Sequence, residues 1–206
     1  MQALAPYYDI RLHVGAAGSP RAVSDAVRDI LFAANTERQL LGRESVSGVT
    51  VASCGGGSPP RTALDLEAAG HAIVLRGQPL PLPPLPDPEP VELAPGDAPF
   101  YMVHVLRFSE GGRAAMAGYG ASAGLEGVKL GVRPIAYFTV ERSWPESAGA
   151  WDEVRLNRFP SHAVFEQLRA NPVHQSGQTD RQSALADSYS LMLRPSLDRL
   201  TELRSH

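Results

Sequence analysis

His104 is the residue whose type and setting best suit it to chemistry, because an imidazole titrates near neutral pH. It lies mid-way along FYMVHVLRF, residues 100–108, and shares one face of that alternating segment with Met102 and Leu106. An imidazole on the inner surface of a small barrel could act as a general base or orient a ligand. The alternative is a neutral histidine that is hydrogen-bonded within the core.

Two glycine motifs indicate chemistry less clearly. Gly120–Gly124 reads G-A-S-A-G and fits the nucleophile motif of hydrolases around Ser122, but the residues before it are not strand-like, which favours a helix of small residues. Gly55–Ser58 follows a predicted strand and could cradle a phosphate. No lysine follows it in Walker spacing, and Pro59-Pro60 lacks amide donors, so a turn is favoured.

Metal and redox chemistry find little support in the sequence. A single cysteine, Cys54, excludes an internal disulfide and a multi-cysteine metal site, and a lone cysteine at a strand end is more often an apolar filler than a nucleophile. The six histidines show neither H-x-x-x-H nor carboxylate-interleaved spacing. No haem or flavin pattern can be assigned, so we expect neither a metal nor a tightly bound cofactor.

The elements that must position His104 are clearest around residues 151–175, WDEVRLNRFPSHAVFEQLRANPVHQ. Alternation up to Phe159 predicts a strand, Pro160 ends it, and Ser161 is a good N-cap for a helix. Asn171-Pro172 predicts a break in that helix.

The remaining periodicities predict an α+β order for residues 100–195. The expected elements are a strand over 100–108, an irregular glycine-containing helix over 110–129, strands over 133–142 and 151–159, helices over 161–170 and 174–186, and a strand over 188–194. This β-α-β-β-α-β order is the ferredoxin-like pattern.

These residues resemble the dimeric α+β barrel proteins with a ferredoxin-like fold, and within them a small bacterial family. The matching features are the Phe159-Pro160-Ser161 corner, the Asn171–Gln175 break, Arg181 in the second helical stretch and the closing strand 188–193. The resemblance implies a pocket between sheet and helices, lined by His104, Tyr119 and Asn157 as catalytic candidates and by Tyr137 and Arg181 as substrate-binding candidates. It also implies a homodimer through the sheet faces.

The periodicity of residues 1–77 predicts a small β-α-β-α-β segment. Its strands are expected over 7–14, 46–54 and 71–75, and its helices from Ser19 to about Leu41 and over 62–69. It is followed by a proline-rich linker or strap, residues 78–99, and by a domain over residues 100–206. His13 in the first strand echoes His104, so the first segment is either a diverged half-copy that forms an internal pseudo-dimer or an unrelated β-α-β unit.

Composition excludes several classes of function. The net charge is −3 and no basic cluster is present, which does not favour nucleic-acid binding. The sequence contains no run of about 18 apolar residues that would predict a membrane span, and its N-terminus lacks the pattern of a signal peptide. We therefore expect a cytoplasmic protein.

Two classes of function remain open at this stage. Relatives of the barrel type include cofactor-independent monooxygenases, isomerases and polyketide cyclases, so the resemblance implies an enzyme of secondary metabolism acting on an aromatic or polyketide-like metabolite. The alternative is a non-catalytic protein of the same fold that binds a ligand or a partner.

Overall fold

The computed structural model describes residues 6–15, 29–54, 72–82, 85, 93 and 95–200. Its strands are β1 (Tyr7–Val14), β2 (Asp29–Leu41), β3 (Val46–Cys54), β4 (Ala72–Gly77), β5 (Pro79–Leu80), β6 (Phe100–Phe108), β7 (Arg133–Thr139), β8 (Arg142–Trp144), β9 (Glu153–Phe159) and β10 (Leu185–Asp198). Its helices are α1 (Gly112–Tyr119), α2 (Leu125–Lys129), α3 (His162–Ala170) and α4 (Pro172–Ser183). The Gly55–Ser58 motif, the helix predicted over 62–69 and residues 19–28 of the helix predicted from Ser19 lie outside the described residues.

The second half of the chain has the predicted α+β element order, with the antiparallel sheet order β7-β9-β6-β10. The irregular helix is α1, a π-helical turn at Gly120–Gly124 and α2 in succession. The Ser161 hydroxyl caps α3 by accepting a hydrogen bond from the Val164 amide at 3.2 Å. Asn171 ends α3 and caps α4, because its Oδ1 accepts from two amides of the next turn while Pro172 takes the first helical position. The predicted break is therefore a helix–helix corner.

The first half repeats the strand order of the second, as β2-β3-β1-β4, but one prediction for it is wrong. Residues 29–41, expected within a helix, form strand β2. The segment is rich in good helix formers, yet it pairs with β3 on one side and with β10 on the other. Hydrogen bonds along both edges override a local helix propensity that is worth only a few tenths of a kcal/mol per residue.

The sheet closes on itself within one chain. It runs β5-β7-β9-β6-β10-β2-β3-β1-β4-β8, and its ends meet because β4 leads into β5 while β7 leads into β8. Amides of Thr139 and Glu141 bond to the carbonyls of Gln78 and Arg76 at 2.9 and 2.8 Å across this seam. Gly77 permits the crossing, since a Cβ there would lie 1.5 Å from the Thr139 carbonyl oxygen.

Alternation along the strands separates two apolar cores. Tyr101, Val103 and Val105 of β6 point into the barrel, where they join apolar residues from both halves. Met102, on the opposite face of β6, belongs to a second cluster with Phe165 and its neighbours on α3. The interior of the barrel is thus packed with side chains, and the face that carries Met102 and His104 is the one covered by helices.

The closed sheet bears on the predicted homodimer. That prediction assumed a sheet face left open by residues 100–206, and this face is covered by the first half of the same chain. The domain boundaries at residues 78–99 stay a prediction, with one hydrogen-bonded sheet joining the segments on either side.

Candidate active site

Four polar side chains form a row across the helix-facing side of the second half. Tyr137 of β7 is paired with Arg155 of β9, Arg155 with His104 of β6, and His104 with Ser190 of β10. Residues paired in this way lie about 5 Å apart on one face of a sheet. The strand register alone therefore brings these four groups together.

His104 is held as a neutral imidazole within this row. Its Nδ1 lies 2.9 Å from the Ser190 hydroxyl and 3.5 Å from Nη2 of Arg181. A guanidinium only donates, so Nδ1 accepts and the ring proton is assigned to Nε2. Burial, followed by the charges of Arg181 and Arg155, holds the pKa of His104 well below 6.5.

Two expectations for His104 are thereby corrected. The residue faces the helices and not the inner surface of the barrel, because Tyr101, Val103 and Val105 occupy the inward positions of β6. The imidazole was also expected to titrate near neutral pH, and desolvation together with the neighbouring cations lowers its pKa instead. The imidazole is therefore uncharged at neutral pH, whether His104 acts as a general base or only as a hydrogen-bonded structural residue.

Arg155 is fixed by a buried carboxylate. Its Nη2 and Nε donate to Glu153 Oε2 at 2.6 and 2.9 Å, and Arg113 of α1 binds the other oxygen of Glu153. The Arg155 guanidinium also lies 5.2 Å from the centroid of the Tyr137 ring. This network gives the row a rigid cationic centre.

Tyr137 and Asn157 are joined directly, as the Tyr137 hydroxyl donates to Asn157 Oδ1 at 3.0 Å. Burial raises the pKa of Tyr137, which keeps the phenol protonated. The pair extends the polar row along the sheet by one position on β9.

Helix α4 covers the row with a polar face. His174, Gln178 and Arg181 are spaced four and three residues apart and so lie on one side of the helix. Each is partly buried, and Gly177, between them, is the one fully buried residue of α4. A helix that turns polar side chains towards a sheet does not cover an apolar core. The space between α4 and the sheet therefore suits polar groups.

Tyr119 connects α1 to this face. Its hydroxyl lies 3.2 Å from His174 Nε2 and 3.3 Å from Gln178 Nε2. Burial raises the pKa of Tyr119 and lowers the pKa of His174, so both are neutral at neutral pH. A Cβ on Gly177 would lie 3.1 Å from the Tyr119 ring and 2.7 Å from Ala123, which shows how closely α4 approaches it.

All five residues named from the sequence lie in or beside this layer, although their roles stay predictions. The structure adds five partners that sequence reasoning missed: Ser190, Arg155, Glu153, His174 and Gln178. For α4 a signal was present, since three polar residues recur there at helical spacing. Arg155 and Ser190 are placed beside His104 by the register of β9, β6 and β10. This register cannot be read from any one segment of the sequence.

The competing motifs have no such setting. Ser122 is exposed on the π-helical turn and donates to the carbonyl of Gly118, as in a helix and not in a strand–turn–helix elbow. Burial, and next the charge of Asp9, raise the pKa of Cys54 to about 11, which disfavours the thiolate.

Among the residues that the structure describes, no group of three or more His, Cys, Asp or Glu is placed to hold a metal ion. Within the same residues, no helix is long and apolar enough to span a membrane.

Comparisons with known proteins address the fold. No protein-family model and no curated protein matches the chain. An anthrone oxidase-like protein of known structure is similar over 95% of both chains, with 12% identity and a TM-score of 0.55. A candidate monooxygenase from Fusobacterium nucleatum shares 11% identity over 94% of both chains with a TM-score of 0.49. A Rhodopseudomonas palustris protein of unknown function shares 26% identity over 48% of this chain and 83% of its own, with a TM-score of 0.45.

The first of these likenesses supports a fold assignment and nothing finer. At a TM-score of 0.55 the anthrone oxidase-like protein shares the fold of this chain, so the predicted α+β fold class is confirmed at that level. Membership of the dimeric α+β barrel proteins stays a prediction. At 12% identity the likeness shows no shared activity.

Proposed function

We propose that this chain is a small-molecule enzyme that acts on an aromatic or polyketide-like metabolite bound between the sheet and α4. The observation that carries the proposal is the polar face of α4 opposite the polar row of the sheet. The names of the structural neighbours favour oxygenation over the isomerase and cyclase chemistries. We further propose that no tightly bound cofactor takes part.

The chemistry that fits the residues is proton removal from a doubly benzylic carbon conjugated with an aromatic ketone. In an anthrone this carbon lies across the central ring from the carbonyl. The Tyr119 hydroxyl takes that proton while its own proton passes to His174 Nε2, 3.2 Å away. Neutral His104 donates its Nε2 proton as a hydrogen bond to the enolate oxygen that forms. A neutral donor suits this task, because an imidazolium beside two guanidinium groups would be electrostatically unfavourable.

Molecular oxygen is the co-reactant of the oxygenase reaction. For an anthrone, the enolate is oxidised at the former C–H carbon, and one O₂ converts the anthrone into an anthraquinone and one water. Asn157 and Tyr137 hold the other end of the substrate, where the Asn157 amide has donors to offer while its Oδ1 is occupied by Tyr137.

The test is oxygen uptake and anthraquinone absorbance with anthrone as the probe. We expect turnover by the wild type and a loss of about 10²-fold in Tyr119→Phe and His104→Gln, the scale of lost acid–base or oxyanion assistance. Ser122→Ala is the matched control, because its hydroxyl is exposed three residues after Tyr119 and should leave turnover unchanged. Anthrone that binds without being oxidised would favour the non-catalytic ligand-binding alternative.

We infer that one chain is sufficient for this site. Every residue named in it comes from residues 104–190, and the first half of the same chain closes the sheet. The homodimer predicted from the sequence is the competing arrangement. A cytoplasmic location and a place in secondary metabolism stay predictions.

A further inference from the structure

Arg181 carries a charge that the described residues do not compensate. Arg155 and Arg113 share Glu153, and Arg113 also lies 3.9 Å from Asp152. In the described part of the chain, no carboxylate lies within 4.0 Å of the Arg181 guanidinium, the distance that defines an ion pair. Among the described residues, its side chain donates a hydrogen bond to His104 Nδ1 at 3.5 Å.

The surroundings of Arg181 oppose its charge. Burial lowers the pKa of Arg181, the nearby Tyr119 hydroxyl raises it in part, and Arg155 lowers it further. The position of Arg181 in the last turn of α4 favours a cation, but helix ends stabilise charge only weakly. A desolvated cation of this kind is characteristic of a site completed by an anion.

The net charge of the cluster fixes the charge of that anion. Three guanidinium groups (Arg113, Arg155, Arg181) face two carboxylates (Asp152, Glu153), which leaves one positive charge. The other titratable groups are neutral, since burial lowers the pKa of the histidines and raises that of the tyrosines (His104, His174, Tyr119, Tyr137). One negative charge balances the site, whereas a phosphate dianion would exceed it.

We propose that Arg181 binds the carboxylate of an aromatic acid, so that the ligand bound between the sheet and α4 is a planar monoanion. The inference rests on the proposed function for the location of the ligand and adds its chemical class. A guanidinium presents two parallel donors that match a carboxylate, and a carboxylate is ionised at neutral pH whereas a phenol is not. Tyr119, which is close enough to Arg181 to affect its pKa, and Tyr137, whose ring lies against the Arg155 guanidinium, provide aromatic surface in the same layer.

The experiment compares equilibrium binding of 2-naphthoate and its neutral isostere 2-naphthamide by calorimetry. We expect the wild type to bind naphthoate roughly tenfold or more tightly, the range of a charge-assisted hydrogen bond. Arg181→Met should remove this preference, and Arg181→Lys should restore part of it while showing that the fold tolerates a change at this position. Arg169→Met is the control, because it removes one positive charge from an exposed residue of α3.

Equal affinities of the wild type for the two probes, or no binding of naphthoate, would overturn the proposal. So would a preference that persists in Arg181→Met, or one that is lost equally in Arg169→Met. Binding is measured without turnover, so inactivity towards anthrone would refute the proposed reaction and leave this result standing. Conversely, oxidation of anthrone without any preference for naphthoate would support the proposed reaction and refute the proposal that Arg181 binds a carboxylate.

Discussion

Replacing Gly177 with alanine tests whether close approach of α4 places Tyr119 in the site. The new methyl carbon would lie 2.7 Å from the Ala123 methyl and 3.1 Å from the Tyr119 ring, both shorter than ordinary contact. The neighbour at 2.7 Å belongs to the π-helical turn and cannot rotate away. Either α4 moves outwards or Tyr119 is displaced from His174 and Gln178.

The net cost follows from two opposing terms. Alanine in a helix interior gains about 1 kcal/mol over glycine, and overpacking of a filled site costs about 1–3 kcal/mol. We expect a net loss of about 1 kcal/mol, which lowers the melting temperature by about 2–4 °C in a protein of this size. Gly118→Ala is the matched control, because nothing lies within 4 Å of its Cβ position, and there we expect a small rise.

Thermal denaturation of a double-mutant cycle measures the contact itself. Ala123→Gly removes the nearest neighbour of the new methyl, so the two substitutions together should cost less than the sum of their separate effects by roughly 1 kcal/mol. Anthrone turnover should fall in Gly177→Ala and not in Gly118→Ala. If Gly177→Ala melted as high as Gly118→Ala and kept full turnover, the packing of α4 would not position Tyr119.

Two other measurements test the charge state of His104 and the closed sheet. Because its folded-state pKa is lowered, His104 stays neutral while the unfolded chain takes up a proton below about pH 6.5. The free energy of unfolding therefore falls with decreasing pH, and this residue contributes up to about 1.4 kcal/mol per pH unit. His104→Gln should flatten the stability profile between about pH 6.5 and 5 in denaturant titrations, and an unchanged slope would show that the ring is not desolvated. Sedimentation should give a mass near 22.1 kDa, and twice that value would favour the homodimer.

The parts of the fold that were predictable are those with strong local signals. Alternation located β1, β3 and β6, the N-cap at Ser161 located the start of α3, and Asn171-Pro172 located its end. The glycines between residues 118 and 127 indicated an irregular helix, which is the π-helical turn. In each case the responsible interaction lies within a few residues of chain.

The rest depends on pairing over long sequence distances. Strand β2 is specified by β3 and β10, and the latter lies about 150 residues away, so its helix-forming composition gave the wrong prediction. The pKa of His104 depends on Arg181 and Arg155, which reach it from a helix and a neighbouring strand. Candidate residues can thus be named from the sequence, while their protonation states require the assembled layer.

The two halves share a strand order, and comparing them shows where their outward faces differ. Aligning the inward residues Tyr8, Ile10 and Leu12 of β1 with Tyr101, Val103 and Val105 of β6 matches the cross-strand pairing of both halves. The first-half counterparts of the polar row are then Ala33, Thr50, Arg11 and Val74. Arg11, and not His13, corresponds to His104. The inward positions stay apolar in both halves because both line the same core, whereas the outward row has no packing reason to be polar. Two of the four first-half counterparts, Ala33 and Val74, are apolar, whereas the row of the second half is polar throughout, as expected if the proposed ligand binds in the second half.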